Sequence, residues 1–237
     1  MRDVLFYLLD EKTELVITTD SSGGIGLKDG DLVKAPDEIV GYYTARVALM
    51  ENLSVGGDPF ALIIQNFTGD SAWTSYKQGV DRAVNELNLP PLPLIGSSES
   101  NFSLHQSGFG LTVLGRTEKK RIYTPDSAGF AVIGVPLVGE EVLTRKDLVL
   151  PLSLFHELLS VNGIYEIVPI GSKGIYQEWK LLCDRNQLLW TTDIVSDTLN
   201  LIQSSGPATS VLISYNLPME ESIKKVTGSH FHKIRQS

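Results

Sequence analysis

Two glycine-bearing segments near the N-terminus carry acids and a lysine at spacings suited to holding a cation and an anion together. The first is Asp20-Ser21-Ser22-Gly23-Gly24-Ile25-Gly26-Leu27-Lys28, directly behind the β-rich run Glu14–Thr19. The second, Glu51-Asn52-Leu53-Ser54-Val55-Gly56-Gly57-Asp58-Pro59, closes a helix-patterned stretch that starts near Pro36. Glu51 falls in the last helical turn, where a carboxylate opposes the negative end of the helix dipole. A cation facing it would remove that tension. Asp20 reads either as an ordinary turn acid, whose side-chain oxygen serves nearby backbone, or as a metal ligand where a strand meets a glycine loop. Gly24, Gly26 and Lys28 could supply phosphate with backbone N–H groups and a point charge. Their spacing is not that of a P-loop, and Asp29-Gly30-Asp31 does not open a helix, so P-loop and Rossmann readings both fail. Metal plus phosphate points to a nucleotide. Magnesium suits such a site because it takes oxygen ligands and needs few of them from the protein.

A polar loop, Gly96–Gln106, supplies further candidates. Ser97 and Ser98 could face a cofactor or substrate and Glu99 could share the metal, although such a loop is surface by default. His105 reads as a hydrogen-bonded histidine before it reads as a base. Ser172-Lys173-Gly174 opens a helix and is equally a plain helix entry or an anion-binding turn. His230 and His232 straddle Phe231, with nothing else in the tail to complete a metal site. The single cysteine, Cys183, stands beside Leu181 and Leu182 and reads as a buried, inert thiol, since a reactive one needs an electropositive, open setting. No catalytic base stands out.

Alternating and helical periodicities place these residues on elements. Val4–Leu9 and Glu14–Thr19 are joined by the turn Asp10-Glu11-Lys12-Thr13 as a hairpin. A helix starts at Pro36-Asp37, with Val40, Tyr43, Val47 and Met50 on one side, and stops by Gly56-Gly57. Phe60–Phe67 reads as a buried strand, Trp73–Leu87 as an amphipathic helix, and Leu92–Ile95 and Phe109–Leu114 as strands. Glu118-Lys119-Lys120-Arg121 and Thr124-Pro125-Asp126 mark a boundary that divides the chain into lobes 1–120 and 121–237. Beyond it the pattern predicts strands Phe130–Val138, Tyr165–Ile170 and Ser210–Tyr215 and a last extended run Phe231–Ile234. Helices are predicted around Leu152–Ser160, from Gly174 to about Asp184, near Asp193–Gln203 and over Met219–Val226. Interleaved strands and helices make the class α/β or α+β in two lobes.

The whole chain bounds the answer further. With 237 residues it can bury a substantial core, and 42% hydrophobic with 20% charged residues is ordinary for a globular protein. A net charge of −8 argues against unspecific nucleic-acid binding, which needs a basic face. No apolar stretch approaches the roughly 20 residues of a membrane span. No nucleic-acid or membrane partner is expected, and a cytoplasmic location is.

With the motifs in place, the chain resembles the aminoimidazole ribonucleotide synthetase (PurM-like) superfamily. Thr19-Asp20 and Gly24-Ile25-Gly26-Leu27-Lys28 echo its Thr-Asp and Gly-Val-Gly-Thr-Lys. Glu51 stands five residues before Gly56-Gly57-Asp58-Pro59, where the superfamily has an Asp before Gly-Ala-x-Pro. Gly96-Ser97-Ser98-Glu99, followed by Ser107–Gly115, echoes its Gly-Gly-Asp/Glu-Thr loop and next strand, with the acid displaced by one position. The likeness covers about residues 14–116. In the second lobe, Gly171-Ser172-Lys173-Gly174 stands where the kinase branch has an Asp-x-Ser-Asp-Gly-Leu-like segment, so both acids of that pattern are absent. Tyr43–Glu51, the Gly-Ser-Ser-Glu loop and Gly134–Gly139 resemble the alpha-ribazole kinase branch most, with thiamine monophosphate kinase more distant.

The resemblance implies an N-terminal lobe that binds ATP and Mg2+ and closes with a second subunit into a shared barrel, beside a reduced C-terminal α/β lobe. It implies metal ligation by Asp20, Glu51 and Glu99, and nucleotide binding by Gly24, Gly26, Lys28, Ser97 and Ser98. The implied activity is phosphoryl transfer from ATP to a hydroxyl of a nucleoside-like vitamin precursor, with alpha-ribazole of the cobalamin pathway as the named acceptor. Two alternatives stay open: another ATP-using branch (thiamine monophosphate kinase, a dehydratase or a cyclase), or a nucleotide-binding protein without catalysis. A homodimer also follows from the element count. Two amphipathic helices can cover one face of the first lobe's sheet, and twofold pairing would cover the other.

Overall fold

A computed structural model describes residues 4–118, 123–188 and 193–236. They form two compact units, 4–118 and 123–236. In the first, Val4–Leu8 (β1) and Thr13–Gly23 (β2) make the expected hairpin. Asp10 closes its turn by accepting the Lys12 and Thr13 N–H groups at 2.8 and 2.9 Å. β2 runs on past Thr19 because Ser21, Ser22 and Gly23 pair with Gly110, Phe109 and Gly108. Asp20 therefore lies inside a strand opposite Leu111, which corrects the expectation that it ends one. The chain then forms a small parallel ladder, Ile25–Gly26 (β3) with Val33–Lys34 (β4), before Asp37–Ser54 (α1), Asp58–Asn66 (β5) and Trp73–Glu86 (α2). Leu94–Ser98 (β6) starts later than predicted, since Pro91 and Pro93 cannot donate to a ladder, and it continues into the predicted loop beside β5. Gly108–Glu118 (β7) completes a sheet of order β1-β2-β7-β5-β6, antiparallel except for β5–β6.

One face of this sheet is dry. Val16, Leu62, Ile64, Leu111 and Val113 are at most 1% exposed beneath α1, and Thr18 Oγ1 donates to Ala48 O at 2.7 Å. Asn52, fully buried, places Oδ1 where a Cβ on Gly57 or on Gly115 would lie 2.2 Å away, so both glycines make room for its amide. α1 and α2 cross backbone to backbone at Gly41 and Gly79: a Cβ at Gly79 would sit 2.0 Å from Glu38 O. At the same contact Tyr42 OH donates to Glu86 Oε2 at 2.6 Å, and the Arg82 guanidinium lies over the Tyr42 ring. The opposite face carries the rows Leu5–Ile17–Leu114–Ala61 and Thr112–Ile63–Ile95. Leu5 is 61%, Tyr7 63% and Ile95 70% exposed. A single chain thus holds an open sheet, not a closed barrel.

The second unit is built on an antiparallel sheet of order β10-β12-β8-β11-β9. Its elements are Ala128–Gly134 (β8), Glu140–Thr144 (α3), Leu152–Leu158 (α4), Ile164–Pro169 (β9), Gly174–Asn186 (α5), Ile194–Val195 (β10), Ser210–Asn216 (β11), Glu220–Thr227 (α6) and Phe231–Gln236 (β12). Ile175, Trp179, Leu182 and Cys183 of α5 pack on Phe130, Val132, Val168 and Leu212. Burial pushes the Cys183 thiol up to about 12, with Asp184 adding to the shift, so little thiolate exists near neutrality. Two predictions are corrected here. β8 ends at Gly134, whose φ of 87° turns the chain ahead of Pro136, so the strand does not reach Val138. The predicted helix near Asp193–Gln203 is instead β10 followed by turns. Ser196 Oγ accepts the Thr198 and Leu199 N–H groups and Asn200 Oδ1 accepts that of Ile202, offering the backbone an alternative to helix.

Glu220 gives this unit a pH-dependent tie. Tyr215 OH, Lys233 Nζ and Lys224 Nζ all reach its carboxylate at 2.7–2.8 Å. Burial opposes ionisation, yet the bonds from Lys224, Lys233 and Tyr215 lower its pKa from 4.5 to about 2. A depressed carboxylate stabilises fully above its unfolded pKa and loses that contribution as pH falls through the folded one. Between pH 4.5 and about 2 the melting temperature should fall in the native protein. Glu220→Gln should melt lower at pH 7 and show a shallower acid slope. Parallel acid limbs in the two proteins would remove Glu220 from the linkage.

Candidate functional site

The glycine loop is held by one carboxylate. Asp31, 6% exposed, accepts the Lys28 N–H at Oδ2 (2.8 Å), the Ser107 hydroxyl at Oδ2 (2.7 Å) and the Ser107 N–H at Oδ1 (2.7 Å). Burial opposes its charge, but the Ser107 and Lys28 bonds and the Lys34 ammonium hold its carboxyl below the usual range. Gly24 N–H donates to Ser107 O at 2.9 Å, and Gln106 Nε2 to Gly30 O at 2.7 Å. Gly30 leaves room for His105, whose ring would lie 2.4 Å from a Cβ there. His105 is thus a packing partner of the loop. Lys28 Nζ donates to Leu104 O at 3.0 Å and Lys34 Nζ to Lys28 O at 2.5 Å. The loop and the 104–108 segment form one knot, rather than a loose flap.

Beside the knot, the end of β5 carries a polar chain. Asn66 Nδ2 donates to Ser98 Oγ (2.9 Å) and Gly69 O (2.8 Å). Thr68 Oγ1 lies 2.6 Å from Tyr76 OH and accepts the Gly108 N–H at 3.1 Å. Tyr76 stacks on Phe109 at 4.2 Å, and its hydroxyl is near enough to Asp37, at the first turn of α1, to affect its ionisation. Burial raises the Asp37 pKa, the Asp31 charge adds to this, and the Tyr76 hydroxyl and Lys28 oppose it. One buried oxygen of Asp37, Oδ1, has no hydrogen-bond partner among the described residues. Burial likewise moves the Tyr76 hydroxyl up to about 12, with the charges of Asp37 and Asp31 adding to the shift.

The expected ligands distribute unevenly around this knot. Gly24, Gly26 and Lys28 lie in it, but the N–H groups of Gly24 and Lys28 are engaged within it. Ser97 and Ser98 are successive residues of β6 and project to opposite faces, so only Ser98 joins the Asn66 chain. Glu99 Oε1 accepts the Asn101 and Phe102 N–H groups at 2.7 and 3.2 Å and so caps its own turn. Asp20 sits two residues beyond Thr18 on β2, whereas Glu51 lies past Ala48 toward the other end of the strand, because α1 runs antiparallel to β2. Among the described residues no group of three His, Cys, Asp or Glu side chains could hold a metal ion, so Asp20, Glu51 and Glu99 do not meet in one chain. Sequence reasoning missed Asp31, Asp37, Asn66, Thr68, Tyr76 and Ser107. Asp31 and Ser107 are 76 residues apart and no local spacing joins them.

No protein-family profile matches the sequence, and no curated protein sequence does either. The fold, by contrast, recurs in solved structures. HypE of Escherichia coli, a hydrogenase maturation protein, superimposes with a TM-score of 0.64 at 10% identity, over 94% of this chain and 81% of HypE. AaThiL, complexed with AMPPCP and TMP, gives 0.57 at 16% identity, over 99% of this chain and 84% of that one. PurL of Thermotoga maritima, complexed with AMPPCP, gives 0.62 at 11% identity, and this chain spans 42% of its length. These are PurM-like proteins, and the chain shares their two-lobed α/β fold. Among the described residues no helix is long and apolar enough to cross a membrane.

Proposed function

We propose that this protein is an ATP- and magnesium-dependent phosphotransferase whose unit 4–118 binds the nucleotide, acting in the cytoplasm on a nucleoside-like vitamin precursor of the alpha-ribazole type. The observation that carries the reading is the fold shared with AaThiL and PurL, both complexed with the ATP analogue AMPPCP, together with a glycine loop knotted beside the end of the sheet. The donor chemistry suits magnesium: Asp20, Glu51 and Glu99 are hard oxygen ligands. Magnesium is commonly held by one or two carboxylates plus substrate phosphates, so a three-acid cage within one chain is not required. The metal would neutralise phosphate charge, and the protein's part is positioning and electrostatics. Lys28 would supply a charge to the phosphates once its bond to Leu104 is exchanged.

Another superfamily activity, or nucleotide binding without catalysis, is the competing reading. Gly171-Ser172-Lys173-Gly174 offers no acid at the start of α5, which argues against a thiamine monophosphate kinase. A Glu in place of Asp at Glu51 and the displaced Glu99 are what a binder without catalysis would show. Saturating ATP with magnesium should raise the melting temperature, by about 2.7 kcal/mol of stabilisation at 100 times the dissociation constant. Asp20→Asn and Glu51→Gln should each weaken that effect at unchanged stability of the free protein. An unmoved melting curve sinks the nucleotide reading. ADP release over a panel of nucleosides and vitamin precursors then separates kinase from binding protein.

A further inference from the structure

The Asp31 carboxylate fills a pocket of donors that would suit any small oxyanion. Two backbone N–H groups, of Lys28 and Ser107, and the Ser107 hydroxyl converge on it, and the Lys34 ammonium is close enough to favour its charge. Donors converging from two segments act toward an anion as the successive N–H groups of a backbone nest do, and in that sense they form a nest. Gly26 keeps it open to its occupant: a Cβ there would lie 2.3 Å from Ser107 Oγ and 2.7 Å from Asp31 Oδ2. We propose that the Lys28–Ser107 nest is an oxyanion site occupied by the chain's own Asp31, and that a phosphate group of an incoming ligand replaces Asp31 when the loop opens. Asp31 is then an internal competitor, which holds the loop shut until phosphate arrives.

The physical consequence is specific. Removing the carboxylate leaves buried donors without an acceptor, which destabilises the loop, and an external oxyanion restores what was lost. A merely structural aspartate predicts destabilisation with no gain in anion affinity. The inference rests on the nucleotide reading above only for the source of the phosphate, so inorganic pyrophosphate and ATP are titrated separately, without magnesium, into three proteins. These are the native chain, Asp31→Ala and the double variant Asp31→Ala with Ser107→Ala, read by calorimetry and melting temperature.

Asp31→Ala should bind pyrophosphate at least about tenfold more tightly than the native chain, and the double variant should lose that gain. Should Asp31→Ala be unfolded on its own, recovery of its melting transition with pyrophosphate supports the nest, and no recovery overturns it. A folded Asp31→Ala with native affinity overturns it too, as does a gain that persists in the double variant. A gain with pyrophosphate but not with ATP keeps the nest and removes the nucleotide as its ligand. Failure of native ATP–magnesium binding, by contrast, sinks the nucleotide reading and leaves the nest standing.

Discussion

Gly79→Val should destabilise the protein by about 3 kcal/mol or more, the upper range for overpacking a close contact. At this crossing even a single Cβ would lie 2.0 Å from Glu38 O and 2.6 Å from Tyr42 N, both backbone atoms that cannot swing aside. Facing it, a Cβ on Gly41 would sit 2.5 Å from Tyr76 O, so α1 and α2 have no slack on either side. Separating them would disturb the Tyr42–Glu86 bond and the Tyr76–Thr68 bond together. Urea denaturation should therefore show a large drop in midpoint. A midpoint within experimental error of the native one would falsify the close-packed crossing.

The second large effect concerns assembly. The sheet face opposite α1 presents Leu5, Tyr7 and Ile95 more than half exposed, in rows with Leu15, Ile17, Ile63 and Leu114. An apolar area of this kind marks an interaction surface, and a twofold pair matches the patch to itself. Two copies should associate through it over more than roughly 2,000 Å², the range of obligate interfaces. Light scattering at low micromolar concentration should give about twice the chain mass of 26.0 kDa. The pair Leu5→Glu with Ile95→Glu should return it to one chain mass with the fold intact, since exposed positions tolerate charge. A native mass of one chain would remove the dimer and with it the shared barrel.

Local chemistry makes much of the first unit legible in the sequence. The hairpin at Asp10, the helix from Asp37, the strand through Leu62 and Ile64 and the helix from Trp73 all follow from period, turn residues and glycine stops. Such signals are encoded by neighbours within one or two turns of chain. The local signals fail where a distant partner outweighs them. β2 runs on to Gly23 because β7 is there to pair with it. The stretch after Asp193 differs, turning rather than coiling because its own Ser196 and Asn200 side chains capture nearby N–H groups.

The residues able to do chemistry divide in the same way. The types are readable from the sequence alone: oxygen ligands at Asp20, Glu51 and Glu99, a glycine loop with Lys28, and a cysteine among leucines. Where they point depends on the fold. The pleat sends Ser97 and Ser98 to opposite faces, and the antiparallel run of α1 over β2 separates Glu51 from Asp20. Closure of the loop onto Ser107 makes Asp31, which by sequence is one turn acid among several, the centre of the knot. A carboxylate's role is set by the donors that surround it, and at Asp31 one comes from nearby Lys28 and the others from Ser107, 76 residues away. Sequence determines which groups are available; only the packing of distant strands decides which of them meet.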